Sequence, residues 1–168
     1  MANDGFIYGL DEFYFNGKKL GYISEDGLQP SGDEPATTAV RAAQARNAVV
    51  KNILTSPGTD RFNFNVIELK KENIVTVFGG TAVGDAYTAP RVKAALEGRA
   101  FIKCFSGHKI DIPKASLTSN LAGTINLAGV MQIACKLEIA VPDDELKGPF
   151  TIYDPDATIV DDPSESTG

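Results

Sequence analysis

The feature that most constrains the fold is a long alternation of residue types between Ile125 and Val141. Every second residue of this run is apolar or glycine: Ile125, Leu127, Gly129, Met131, Ile133, Cys135, Leu137, Ile139 and Val141. Nearly all the residues between them are small or polar. Because successive side chains of a strand point to opposite faces, this period of two predicts one long strand with a buried face. A glycine inside a strand predicts a bend or bulge, here at Gly129.

Shorter patterns predict that the rest of the chain is mostly β. Two strand-like runs between Ala48 and Glu68 flank the sequence Pro-Gly-Thr, which predicts a hairpin. The pair Asn16-Gly17 is a strong turn signal and predicts a hairpin near the start. A further hairpin is expected between the runs RAFIKCF and KIDIPKA. Residues 36–47 combine helix-favouring Ala and Gln with strand-favouring Thr and Val, and we predict a strand.

One helix is predicted from its apolar pattern and from the glycines that follow it. Apolar residues of the run LKKENIVTVF share a helical face, and Gly79 and Gly80 follow as a stop. The run VKAALEG predicts a short additional helical turn that ends at Gly98.

Negative charge is concentrated in two segments. Residues 24–36 form an acidic segment rich in Pro, Gly and Ser; its acids are Glu25, Asp26, Asp33 and Glu34, and Leu28 is its sizeable apolar residue. Such a segment buries too little apolar surface to order itself, so we expect a loop that becomes ordered only against a partner. The C-terminal residues 143–168 hold eight acids and one base, a charge of −7, against +1 for residues 1–142. We therefore predict a single β domain over residues 1–155 and an acidic, disordered tail over residues 156–168.

The sequence contains no recognisable catalytic constellation. His108 is the single histidine and stands in a turn-like Ser-Gly-His sequence, so we expect it to be exposed. Cys104 and Cys135 lie in strand-like runs, where two buried reduced thiols are the preferred interpretation and a disulfide is the alternative. We expect no enzyme activity, no metal and no cofactor. Neither a signal peptide nor an apolar run long enough to cross a bilayer is visible, so folding in a cytoplasm without membrane insertion is expected.

The order of the predicted segments resembles a known family. The segment TTAVRAAQARNAVVKNILTSPGTDRFNFNVIELKKENIVTVFGG resembles the central part of the tail tube proteins of long-tailed phages. The later segments FIKCFSGHKIDIPKASLTSNLAGTINLAGVMQIACKLEIAVPD and GPFTIYDP are similar to the closing half of that family. The resemblance spans residues 13–155 and is a pattern of segments, not a sharp motif.

The resemblance implies a mainly β subunit with a β-sandwich-like or barrel-like tail tube fold and one flanking α-helix. Such subunits close into rings, commonly of six, and the rings stack into a tube through which double-stranded DNA passes without sequence readout. Implied partners are further copies of the chain, the tail tip or baseplate, the tail terminator and the tape measure protein. The implied location is the tail of a virion, assembled in the bacterial cytoplasm.

The resemblance also implies roles for particular residues. The loop of residues 24–36, with Glu25, Asp26, Leu28, Asp33 and Glu34, matches the position of a loop that reaches a neighbouring subunit. Asn63 and Asn65 alternate with phenylalanines and are candidates to face the lumen. Residues 36–142 carry seven acids and thirteen bases, a charge of +6, which departs from the acidic lumen that the family implies.

Two other classes of protein stay open at this point. One is another ring-forming virion component, such as a terminator, an adaptor or a decoration protein. The other is a carbohydrate-binding β-sandwich that uses exposed aromatic residues such as Tyr8, Tyr14 or Tyr87.

Overall fold

The structure is a computed structural model that describes residues 3–164. These residues form one helix, α1 (Lys71–Phe78), and twelve strands: β1 (Leu10–Phe15), β2 (Lys18–Lys19), β3 (Gln29–Asp33), β4 (Ala36–Val40), β5 (Lys51–Ser56), β6 (Thr59–Val66), β7 (Thr81–Val83), β8 (Ala86–Thr88), β9 (Leu96–Cys104), β10 (Lys109–Gly123), β11 (Met131–Ile139) and β12 (Thr151–Tyr153). The predicted class, mainly β with one helix, is confirmed.

One antiparallel sheet organises the molecule. Its strands lie in the order β2-β1-β9-β10-β11-β6-β3, and β12 pairs with β10. The strand β12 occupies the place beside residues 109–111 of β10, because β11 pairs with β10 only from Ala115 onward. The register of β10 against β9 shifts between Ile112 and Ala115, where Pro113 lacks a backbone donor. This irregularity bends the longest strand of the sheet.

The sheet curls until its two ends meet. Three strands separate β1 from β6 in the sheet, yet the rings of Phe13 and Phe64 lie 4.9 Å apart. The segment after β2 joins the two ends: the N–H of Leu20 donates to Phe13 (2.8 Å), and the N–H of Ser24 donates to Asn65 (2.9 Å). The result is a barrel-like wall around one apolar interior.

The interior is filled by alternate residues of five strands and by the helix. The buried apolar side chains of this core are Phe13 and Phe15 of β1, Phe64 and Val66 of β6, Ala100, Ile102 and Cys104 of β9, Ile112, Ala115 and Leu117 of β10, and Ile133, Cys135 and Leu137 of β11, with Leu20 and Val77. Phe101 of β9 is also buried but does not belong to this cluster. A period of two in β11, with Ile133, Cys135 and Leu137 buried, agrees with the sequence prediction.

The helix packs against β10 and against the small hairpin of β7 and β8. It ends at Phe78 and is capped by Gly79, whose positive φ of 83° is accessible mainly to glycine and whose N–H donates to the carbonyl of Val75. Val77 points into the core, and the hydroxyl of Ser119 on β10 donates to the carbonyl of Val77 (2.9 Å). The predicted helix and its stop are confirmed.

The two cysteines are free and buried, as the preferred interpretation expected. Burial raises the pKa of the Cys135 thiol to about 12, and it also raises the pKa of Cys104. Both side chains therefore serve as small apolar groups of the core.

The predicted long strand is wrong at its N-terminal end. Only residues 131–139 form β11, and residues 124–130 form a loop in which Ile125 and Leu127 are exposed. Asn126 causes the difference, because its side-chain oxygen accepts the N–H groups of Ala128 and Gly129. Local turn chemistry of this kind overrides an alternating pattern.

The predicted hairpin between Ala48 and Glu68 is also wrong. β5 and β6 do not pair with each other: β5 pairs with β4, whereas β6 pairs with β3 and β11. The chain therefore makes one long interrupted hairpin, and Pro35 and Pro57 mark the interruption because neither has an N–H for the ladder. The predicted strand over residues 36–47 is correct for residues 36–40.

Of the other sequence predictions, two hairpins are confirmed and one helical turn is wrong. The hairpins at Asn16-Gly17 and around residues 105–108 are confirmed, and Asn16 and Gly17 both have positive φ. The predicted helical turn at VKAALEG is wrong, because Leu96 already begins β9. Residues 92–95 are exposed and irregular, and Leu96 packs half-buried as the first residue of the strand, where packing in the sheet overrides helix propensity.

The two faces of β11 give a direct test of this architecture. Replacing Ile133 with Asp buries a carboxylate without a partner, so we expect the free energy of unfolding to fall by about 3 kcal/mol or more. Replacing Gln132, its neighbour on the opposite face, with Asp is the matched control and changes stability little. Thermal unfolding followed by circular dichroism measures both, and equal losses would contradict the assignment of faces.

Candidate assembly surface

A two-stranded arm projects from the barrel. It consists of β4, β5 and the connecting residues 41–50, and every residue of both strands is exposed. In the pairing of β4 with β5, Thr38 lies opposite Ile53 and Val40 lies opposite Lys51. At roughly 3.3 Å per residue, five paired residues extend the arm by about 17 Å before its tip. An isolated two-stranded hairpin is only marginally stable in water, so this arm gains most from a partner surface.

The arm combines apolar and basic residues. Val40, Val49, Val50, Ile53 and Leu54 are all exposed large apolar residues. Residues 36–56 contain three basic residues, Arg41, Arg46 and Lys51, and no acid. Exposed apolar groups in a contiguous element are typical of interaction surfaces. The arm therefore offers apolar contacts within a positive field.

The acidic segment of residues 24–36 is not an irregular loop. Residues 29–33 form β3 and pair with β6, so the predicted loop is wrong for these residues. Backbone hydrogen bonds to a core strand provide the order that its apolar side chains cannot provide. Leu28 packs half-buried against the core. Within this segment, residues 24–28 and the link at Glu34-Pro35 lie outside strands.

The four predicted acids fall at two separate places. Glu25 and Asp26 are exposed in the turn after Ser24, where they line a cavity together with Leu28 and Phe62. Asp33 lies at the base of the arm, where its carboxylate forms an ion pair with Arg61 of β6 (3.3 Å), and Glu34 is exposed next to it. The predicted assembly segment therefore divides into an acidic turn and an arm base.

Asn63 and Asn65 lie on the face of β6 opposite to the buried Phe64 and Val66. The amide of Asn63 donates to the hydroxyl of Ser31 on β3 (3.1 Å), so this side chain joins two strands on the outside of the barrel. Asn65 is half-buried on the same face. Their orientation away from the core agrees with the expected alternation, and the lumen-facing role stays a prediction.

A cleft separates part of β1 from the segment that closes the sheet. Its cavity of about 580 Å³ is lined by Leu10–Phe13 on one side and by Lys19–Glu25 on the other. A second cavity of about 400 Å³ adjoins it, and Leu28, Phe62 and Ile102 supply apolar walls there. Both cavities include Leu10, Glu25 and Gly27. Sequence analysis missed this cleft because it depends on how distant strands meet.

The arm was missed for a different reason. Its sequence signal is present: residues 36–56 lack acids, and Pro35 and Pro57 flank the two strands. The positions of these two prolines opposite each other could have indicated the break between the core sheet and the arm.

The turn between β9 and β10 anchors the N-terminal segment. His108 is 4% exposed, so its predicted exposure is wrong. Its Nδ1 lies 3.0 Å from the Ser106 hydroxyl, and its Nε2 lies 3.2 Å from the side-chain oxygen of Asn3. The N-terminal segment crosses over the turn and covers the histidine, which no local pattern indicates.

The C-terminal segment is anchored beside it. Asp162 is buried, and its carboxylate lies 2.6 Å from the Lys109 ammonium. Burial opposes ionisation of Asp162, but hydrogen bonds from Lys109 and Ser164 outweigh it and lower its pKa. These contacts do not agree with the predicted disorder of residues 156–168 as far as Ser164. Residues 165–168 lie outside the described part of the chain.

Between residues 3 and 164, no group of three or more His, Cys, Asp and Glu side chains is arranged to hold a metal ion. Over the same residues, no helix has the length and apolar character needed to cross a membrane.

Compared with known proteins, the chain matches no family model and no curated protein sequence.

The contact between Asp162 and Lys109 predicts a pH-dependent contribution to stability. Replacing Asp162 with Ala removes a short ion pair from a largely buried ammonium, so we expect a loss of about 2 kcal/mol near pH 7, or a Tm lower by roughly 4–8 °C. Because the folded state lowers the pKa of Asp162, its contribution is complete above about pH 3.9, the ordinary value for Asp, and disappears as the pH falls through the lower folded-state value.

The exposed Asp156 supplies the control, and Asp156→Ala is expected to leave Tm nearly unchanged. Thermal melts of both variants between pH 2 and 7 measure the effect. A tail that does not dock would give the same melting curve for Asp162→Ala and for wild type at every pH.

Proposed function

We propose that this chain is a structural subunit that associates with copies of itself into rings that stack into a tube, in the manner of phage tail tube proteins. The observation that carries the proposal is the arm of residues 36–56, whose strands are exposed on both faces. An element of this kind adds little stability to a monomer and exposes apolar groups to water. Its presence is explained if a second subunit covers it.

The distribution of other apolar residues supports the same proposal. Ile125, Leu127 and Val130 are exposed in the loop between β10 and β11, and Leu121 is exposed at the adjoining end of β10. Exposed apolar residues thus occur on the arm and, separately, at this loop. A subunit that forms both rings and stacks needs at least two such surfaces, because one contact closes the ring and another joins successive rings.

The proposed role is mechanical and not catalytic. Strand edges that would be exposed in a monomer would pair or be covered in the assembly, which removes a route to aggregation. In this proposal the tube carries double-stranded DNA, with Asn63 and Asn65 as candidates to face the lumen. The tail tip or baseplate, the terminator and the tape measure protein are the proposed partners, and the virion tail is the proposed location.

Purified protein at increasing concentration tests the proposal. We expect rings or tubes in negative-stain electron micrographs and a concentration-dependent increase in sedimentation coefficient. Long open polymers indicate a tube subunit, whereas particles that stop at one ring indicate a terminator or an adaptor. A protein that stays monomeric at high concentration, and also after seeding with a tail tip complex, would refute the proposal.

A paired substitution tests the arm within this proposal. Replacing Ile53 and Leu54 with Ser removes two exposed apolar groups, so the fold and Tm should change little. The apolar area that these two side chains no longer bury in the interface is worth about 3 kcal/mol of binding free energy, and its loss would weaken association roughly a hundredfold. Val83→Ser, on the exposed hairpin of β7 and β8, is the control and should assemble as wild type does. Normal assembly of the arm variant would exclude the arm from the interface.

A further inference from the structure

We propose that the cleft between β1 and residues 19–25 binds the arm of a second copy of this chain. The assignment rests on the self-association proposed above and identifies the surface that receives the arm.

The backbone geometry of the cleft suits an extended segment. Residues 14 and 15 of β1 pair with β2, and Leu20 donates to Phe13, but from Tyr22 onward the closing segment bonds to β6. The carbonyl of Tyr22 accepts from Ile67, and the N–H of Ser24 donates to Asn65. Since peptide groups of successive strand residues point in opposite directions, the backbone groups of Ile23 point across the cleft toward β1. An added strand finds hydrogen-bonding groups there, as in other cases of strand addition.

Electrostatic complementarity favours the arm as the occupant. Four acids, Asp11, Glu12, Glu25 and Glu68, line the cleft together with two lysines. Lys19 forms an ion pair with Glu12 (3.2 Å), and Lys70 forms one with Glu68 (3.0 Å). The excess negative charge therefore comes from Asp11 and Glu25, with Asp26 beside them.

The arm carries the matching charge and shape. Its three basic residues, Arg41, Arg46 and Lys51, stand among exposed valines and other apolar groups. The tip residues Val49 and Val50 are small enough to enter the adjoining cavity of about 400 Å³, with its apolar walls. Opposite charges of this kind set the orientation and the rate of association, and they make it sensitive to salt.

The occupant comes from another copy because the arm projects into solvent in its own copy. A contact between an arm and a cleft joins two different surfaces, so each bound copy still offers one free arm or one free cleft. Such a contact propagates into a closed ring or an open filament.

Charge reversal on the two sides tests the proposal. Arg46→Glu with Lys51→Glu on the arm should raise the concentration needed for association at least tenfold, and so should Glu25→Lys with Asp26→Lys at the cleft. An equimolar mixture of the two variants should recover association, because each reversed arm then meets a reversed cleft. All four sites are exposed, so Tm should stay near that of wild type.

Cross-linking locates the contact. A Val50→Cys variant mixed with a Tyr8→Cys variant, whose residue lines the cavity that receives Val50, should form a disulfide-linked dimer under mild oxidation, at a yield at least tenfold above a mixture of Val50→Cys and Val83→Cys. The native thiols, Cys104 and Cys135, are buried and should not interfere.

The outcomes separate this inference from the proposed function. Wild-type protein that assembles while charge reversal has no effect, or while the cross-link favours Val83, overturns the cleft assignment and leaves self-association standing. Wild-type protein that never assembles overturns both.

Discussion

The closure of the sheet through residues 20–24 is the constraint on which the rest of the structure depends. This short segment bonds to Phe13 at one end and to Asn65 and Ile67 of the β6 region at the other. Without it, Phe13 of β1 and residues 64–66 of β6 would have an unpaired edge beyond the short pairings with β2 and β3, and the face that carries Phe13 and Phe64 would be exposed to water. Because the segment leaves β1 after Leu20, the same closure also creates the cleft. The stability of the barrel and the proposed binding surface therefore have one structural origin.

The second constraint is the break at Pro35 and Pro57. On one side of the break, β3 and β6 belong to the core sheet; on the other, β4 and β5 stand alone. Gly58 at the break has a φ of 78°, and a side chain there would collide with the carbonyl oxygen of Asp33 at 2.4 Å. The base of the arm therefore requires glycine at position 58, where the backbone of Asp33 leaves no room for a side chain. The arm is held at a defined position and yet buries little of its own surface.

Sequence reasoning succeeded where a local pattern and the burial of a face agree. The alternation of Ile133, Cys135 and Leu137, the turn at Asn16-Gly17 and the helix that Gly79 caps are examples. It failed where distant segments decide the outcome. The burial of His108 depends on Asn3, and the order of residues 29–33 depends on β6. The composition of the local sequence indicates neither contact. The loop at Asn126 shows a third case, in which a side-chain hydrogen bond outweighs an apolar period.

Hydrogen exchange of backbone amides, compared between dilute monomer and concentrated assembly, tests the central claim most directly. In the monomer, amides of residues 36–56 should exchange quickly, whereas those of β9, β10 and β11 should be protected, because local openings follow burial. In the assembly, residues 36–56 and residues 10–25 should both gain protection, and the core strands should change little. Arm amides that exchange equally fast in both states would contradict the account.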